Sequence, residues 1–563
     1  IYGTRASNGV IIITTKKGSA GKTSVDFAAS AGFQHIAKPK IAGASEYEKV
    51  FKKRYENDGR TAPWNSPYEN YADVDGTDWW DEVVNDLALI QNYSLGVRGG
   101  NDKFIYSFSL GYFRNNSQFD YGYWDKINLR LNTEYNFNKY LKVGLDIAPN
   151  MENWEDSPNL FSAAMAMDPT TPVFRPEDQW DAANPMNNNQ EWNPAGSLAR
   201  MDSHTRKGSV LMNPFIQITP IKQLTIRTQF GINAWYQRND YFNCAFHIDA
   251  LEQNTKNSVG RNYSDGLNWT WNNTITYMDT FAEKHNLTVL AGFTAERYAD
   301  WWLNGSRQDV PGTSDLLHEV SAGTGDQFAS GSASYQTLAS FLGRVMYNYN
   351  NRYYLTASVR ADGSSRFPKG NKYGTFPSVS AAWRLSEEAF MEDTRDWLNN
   401  AKVRFGWGRV GNQAIANGAY MTTLNNGVNY VFGTTPVRFP ATIMGSMGNP
   451  NLKWETVEDI DFGLDFSLFN SRLNVTFDLF QKTSHDMLYG KQSLLILGVP
   501  TWMGAITQNI GQMRARGWEL SINYNDQVGD FRYDIGVQLS GVKNKAIKFT
   551  GDGPIWDGSG LPE

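Results

Sequence analysis

The residues of this chain most suited to chemistry begin with the run DVDGTDWWDE, residues 73–82, which sets carboxylates at alternate positions beside a glycine, as a calcium loop does. Asp73, Asp75 and Asp78 would supply the oxygens. The run lacks the bidentate Glu that closes an EF-hand. Asp78 or Thr77 as a helix N-cap, with Asp81 and Glu82 complementing the helix dipole, accounts for the same residues without metal. The six histidines, His35, His204, His247, His285, His318 and His485, follow no ligand spacing, so no zinc site is expected. No G-x-S-x-G elbow occurs, and no pair of carboxylates stands out as a glycosidase dyad. The expectation is a protein without catalytic residues or cofactor, and not an enzyme.

Aromatic residues outside the regular elements are the better candidates for ligand contact. Trp154, Trp180, Trp192, Trp301, Trp302, Tyr430 and Phe432 present flat, rigid rings that suit sugar faces or peptide side chains at little entropic cost. The same rings could pack one loop on another or anchor the protein at a membrane interface.

These residues need a scaffold. At 563 residues several domains would be expected of a soluble chain, yet no Pro-rich, Gly/Ser-rich or single-charge tract divides it. Net charge is -6, from 52 basic and 58 acidic residues spread along the sequence, which removes the footprint of nucleic-acid binding. The single Cys244 excludes a disulfide within one chain. No stretch reaches the ~18 to 20 apolar residues of a spanning helix.

Period two dominates instead. In INLRLNTEYNF, Ile127, Leu129, Leu131, Tyr135 and Phe137 alternate with Asn128, Arg130, Asn132, Glu134 and Asn136. The same alternation recurs over 104–113, 224–236, 341–349, 460–468, 473–479, 518–524 and 531–539. Helical spacing is confined to short stretches near 44–56, 79–85 and 387–398. Strands of about 9 to 11 residues suffice to cross a bilayer at a tilt, and alternation hides them from a mean hydropathy of -0.50. Tight connections (99–102, 138–139, 350–351, 470–471, 528–530) alternate with long polar ones near 150–208, 237–267, 298–334, 411–455 and 482–513. Short periplasmic turns and long external loops mark outer-membrane barrels. About seventeen strands are counted, an odd number, which leads to the expectation of a chain cut at both ends.

The opening YGTRASNGVIIITTKKG resembles the last segment of the plug domain of TonB-dependent transporters, with Tyr2, Gly3, Arg5 and Gly9 in its turn. Residues 340–390, 402–413, 448–480, the GTDWWDEV run and 509–524 resemble the SusC/RagA group of these transporters in Bacteroidota. Ala515 departs from that pattern, where Asn is more usual, and a local turn change is expected there.

The resemblance implies an all-β, transmembrane antiparallel barrel of roughly 22 strands with a plugged lumen, in the outer membrane of a Gram-negative bacterium. Residues 1–18 would be the C-terminal end of the plug, and 19–563 a partial barrel with long extracellular loops. It further implies energised import of a bulky oligosaccharide or peptide, driven by the TonB complex through an N-terminal TonB box. A SusD-like surface lipoprotein would act as lid, and outer-membrane lipid would surround the wall. A passive porin would carry no plug segment. A soluble carbohydrate-binding β-protein would have shorter strands and no loop asymmetry.

Overall fold

The computed structural model describes residues 16–62, 76–156, 158–175, 179–181, 191–434, 436–492 and 505–548. Seventeen strands form one antiparallel sheet. In chain order they are β1 (Gly21–Gln34), β2 (Ala88–Gly100), β3 (Phe104–Asn116), β4 (Tyr123–Asn136), β5 (Leu141–Glu155), β6 (Ser203–Ile221), β7 (Leu224–Asn243), β8 (Ser258–Phe281) and β9 (His285–Gln308). They continue with β10 (Gln327–Tyr349), β11 (Tyr353–Ser364), β12 (Tyr373–Arg384), β13 (Leu398–Asn412), β14 (Glu455–Leu468), β15 (Leu473–His485), β16 (Gln512–Val528) and β17 (Phe531–Lys548). Each strand pairs with its neighbours in sequence, and among the described residues β1 and β17 each have one partner. The expected count of about seventeen strands agrees with the seventeen of this sheet.

Register sorts the side chains onto two faces. Leu95, Leu110 and Leu129 stand opposite one another across β2, β3 and β4, whereas Ser109 stands opposite Arg130. On the apolar face large side chains are left open: Phe27 is 70% exposed, Ile127 51%, Phe341 52% and Leu539 51%. An apolar surface of this extent is what a lipid-facing wall carries. The other face holds ion pairs such as Lys126–Glu152 at 3.1 Å and Arg404–Asp478 at 2.8 Å. These charged groups, level with the apolar wall, therefore line the lumen.

Connections after even-numbered strands are short. The β10–β11 turn places Asn350 and Asn351 at φ 50° and 56°, the left-handed region that Asn tolerates better than most residues. The 385–397 connection is the longest on this side. There the expected helix over 387–398 is replaced by 3-10 turns at Leu385–Glu387 and Ala389–Thr394. Ala515 also departs from expectation: it lies inside β16, paired with Lys482 and Asn544, and makes no turn.

The strands are taller than a bilayer needs, with β8 and β9 each 24 residues long. Two of the anticipated long loops shrink accordingly, to 244–257 and 309–326, because alternation continues there in polar residues that favour no apolar signal. The connections at 35–87 and 156–202 instead fold together. They carry the helices α1 (Ala44–Asn57), α2 (Trp79–Val83), α3 (Phe161–Ala166) and α4 (Pro194–Ala199), of which α2, α3 and α4 meet in a core of Trp79, Trp80, Val83, Leu160, Met167 and Leu198. A second core, Phe367, Phe376, Ile415, Leu452 and Trp454, ties the β11–β12 connection to the segments flanking β13 and β14. The Trp454 indole donates to the Lys372 carbonyl at 2.9 Å.

Candidate functional site

The site takes shape where β3, β4 and β5 reach the long-connection end. Trp124 and Trp154 are register partners on the lumen face. The Phe113 ring meets Trp124 edge-on at 5.1 Å, and Lys126 Nζ lies 5.9 Å from the Trp124 ring while bridging to Glu152. The Trp154 indole donates to Asp156 at 2.7 Å. A cavity of about 390 Å³ opens beside the pair, lined by Asn115, Ser117, Glu152, Glu155 and Asp156. Two indoles among carboxylates and amides can stack on a flat amphipathic ligand and accept its hydroxyl or amine protons. Trp124 was not among the residues anticipated. Its position in a strand concealed it, and only the register with Trp154 reveals it.

The other anticipated rings divide. Trp180 packs on Phe174 at 4.5 Å and against Gly196, so it serves the loop fold. Trp192 stays exposed, edge-on to Phe246, whose other neighbour is the Arg200 guanidinium 4.0 Å away. Arg200 bridges to Glu252 at 3.0 Å, and the Asn193 N–H donates to the same carboxylate at 3.0 Å. Burial nevertheless pushes the Glu252 carboxyl above its ordinary range. Trp301 and Trp302 point to opposite faces. Trp301 donates to the Tyr335 hydroxyl at 2.9 Å on the outward face of the sheet, while Trp302 faces the lumen side. Tyr430 and Phe432 meet with tilted rings at 4.6 Å on a projecting hairpin, Thr423–Phe432 with Val437–Ser446, and both remain exposed.

Asp78 acts as the N-cap of α2, accepting from the Asp81 N–H at 3.3 Å. Lys38 contacts Asp78 and lies 2.8 Å from Asp81. Burial works to lower the Lys38 ammonium, but the bonds and charges of the two aspartates outweigh it and hold it above its usual value. A cation at Asp78 would have to displace that lysine. Asp73 and Asp75 lie outside the described residues, as do Tyr2, Gly3, Arg5 and Gly9. Among the described residues no cluster of three His, Cys, Asp or Glu side chains could hold a metal.

Inside the wall, Lys17 from the N-terminal segment bridges to Glu134 on β4 at 2.8 Å, and Lys142 approaches the same carboxylate at 3.4 Å. Gly18 passes so close to the Tyr106 backbone that a Cβ would stand 2.3 Å from its carbonyl oxygen. The family described as TonB dependent receptor-like, beta-barrel, matches residues 42–562. This chain belongs to the TonB-dependent receptor-like β-barrel family. SusC of Bacteroides thetaiotaomicron is 28% identical over 590 residues, covering 98% of this chain and 55% of SusC. A TonB-dependent receptor of Formosa agariphila is 26% identical over 565 residues, covering 98% of this chain and 55% of that receptor. The chain thus spans about half the length of these curated relatives. In fold it matches the RagAB peptide transporter with a TM-score of 0.82 at 22% identity, over 98% of this chain and 64% of that one. The TonB-dependent receptor family places this barrel in the outer membrane, in agreement with the SusC/RagA resemblance.

Proposed function

We propose that the protein is part of a TonB-dependent importer of a bulky nutrient, an oligosaccharide before a peptide, working with a SusD-like surface lipoprotein as lid. The carrying observation is the lumen-facing Trp124–Trp154 pair beside its cavity at the mouth. Paired rings bind sugar faces without demanding one sequence of groups. The peptide reading is supported by Glu152, Glu155 and Asp156, whose carboxylates suit cationic side chains. Lys17 and Gly18 against the inner wall favour a plugged importer over an open porin. Residues 1–18 are read as the end of that plug, and calcium is not required by this scheme.

The lid reading draws on the exposed Tyr430–Phe432–Phe439 hairpin, an aromatic surface that suits a sizeable protein interface. The complete protein is expected to co-purify with a SusD-like lipoprotein, and deletion of 423–446 to weaken that complex while the barrel still assembles. Binding measured across defined oligosaccharides and peptides, with Trp124→Ala and Trp154→Ala beside the parent, tests the cargo. Losses confined to glycans support the first reading, and losses confined to basic peptides the second. Unchanged binding of every ligand removes the site.

A further inference from the structure

The level of the Trp124–Trp154 pair continues around the inner face of the sheet. Trp154 stands opposite Thr205 on β6, and Thr205 opposite Asn239 on β7. From there register carries the level through Asn262 on β8 and Asn304 on β9 to Ser330 on β10. Cross-strand partners share a face, and Asn304 lies two residues from the lumen-facing Trp302, so the whole level faces the lumen. Four strand spacings of about 4.8 Å put Asn304 roughly 19 Å from Trp154.

The three asparagines form a hydrogen-bonded chain. The Asn304 amide donates to Asn262, the Asn262 amide to Asn239 at 3.1 Å, and the Asn239 amide to Thr205 Oγ1 at 2.9 Å and Ser203 Oγ at 3.0 Å. Thr205 is 1% exposed and makes the fixed end. Amides donating in one direction polarise each other. The chain ends on Asn304 Oδ1, which accepts no hydrogen bond among the described residues. One level down, Trp302 stands between Ser264 and Ser332, 47% exposed, and its indole N–H has no partner among the described residues. A level below that, Trp235 lies over Gly266, where a Cβ would stand 2.4 Å from the indole nitrogen. Asn417, from the connection after β13, donates to Ser334 at 2.7 Å and bounds the patch on the β10 side. Across these three levels β7 to β10 present amides, hydroxyls and two indoles, and Asp300 alone is charged.

We infer that Asn262, Asn304, Trp302 and Trp235 form a second subsite, for a neutral oligosaccharide whose other end lies on the Trp124–Trp154 pair. The assignment rests on the oligosaccharide reading of that pair. A sugar ring offers an apolar face to an indole, and hydroxyls that both donate and accept, which the open Asn304 oxygen and the Trp302 N–H complement. Amides already held in a chain lose little freedom on binding. Asp300 here, with Glu152, Glu155 and Asp156 at the other end, repels sulfated or uronic chains. A ligand that touches both ends spans roughly 19 Å, so a disaccharide engages the first pair alone.

Calorimetry on the complete protein in mild detergent tests this with neutral linear oligosaccharides from disaccharides upward and with sulfated chains of the same lengths. Asn304→Leu and Trp302→Ala should each weaken the long neutral chains by about two- to ten-fold and leave disaccharides unchanged, whereas a purely structural role would move all lengths alike. Sulfated chains should bind the parent more weakly than neutral ones. Heat-modifiable mobility checks folding, and Asn304→Ala serves if the leucine variant misfolds. Equal affinity of parent and variants for long chains, with Trp154→Ala still weakening them, overturns the second subsite and leaves the first standing. Tighter binding of sulfated chains overturns the neutral assignment. Binding of basic peptides, with no oligosaccharide bound at any length, overturns the oligosaccharide reading and the subsite with it.

Discussion

Lys17 Nζ sits 2.8 Å from Glu134 Oε1 although 117 residues separate them in sequence. Glu134 is 7% exposed, and Lys142 supplies a second cation. The pair fixes the chain leading into β1 against the inside of β4. Lys17 remains half exposed, so the pair contributes about 1 kcal/mol or less. Glu134→Gln in the complete protein should release that segment and raise entry of bulky antibiotics, read as a lowered inhibitory concentration, with barrel heat-modifiability retained. Unchanged sensitivity would mean that the contact holds nothing in place.

Trp79 carries the fold of the external cluster. It is 2% exposed and its indole donates to the Asp168 carbonyl at 3.0 Å. Trp79→Ala should cost about 3 to 5 kcal/mol of local stability and speed proteolysis within 158–202, while the barrel keeps its heat-modifiable mobility. Equal cleavage rates in parent and variant would contradict this.

Tyr47 on α1 gives a pH dependence. Burial, with the charge of Asp168 adding and Arg54 opposing, pushes its hydroxyl up to about 12 from 10.0. Because the folded value is raised, the stability it contributes is complete below pH 10 and is lost as pH rises through 12. Difference absorbance against Tyr47→Phe should place its ionisation near 12, with the α1 region loosening over that window. Ionisation near 10 would show the phenol to be solvated.

Trp301 and Trp302 separate two roles at adjacent positions. Trp302→Ala should weaken cargo binding by about 0.5 to 1.5 kcal/mol, a few-fold in affinity. Trp301→Ala should leave binding intact and lower thermal stability through loss of the bond to Tyr335. The reverse pattern would invert the assigned faces.

Much of this protein was legible in its sequence, because period two is a local property. INLRLNTEYNF fixes which side chains of β4 face lipid before any partner strand is known, and the same holds for the seventeen strands as a set. The doublet Trp301–Trp302 could have been separated on that ground alone. The alternation of tight and long connections was also local, since Asn-Asn or Gly-Asp turns announce themselves. Tall strands were misjudged because polar residues continue the extended chain past the membrane with no apolar signal.

Only tertiary structure decided what meets across the sheet. Trp124 joins Trp154, and Lys17 reaches Glu134, through register and passage along the lumen, which no spacing within one strand encodes. The Trp79–Trp80 pair became a loop core, and not an interfacial anchor, because two connections, with Trp79 and Asp168 89 residues apart in sequence, bury it together. Local chemistry chooses the face of each side chain, and long-range pairing chooses its company.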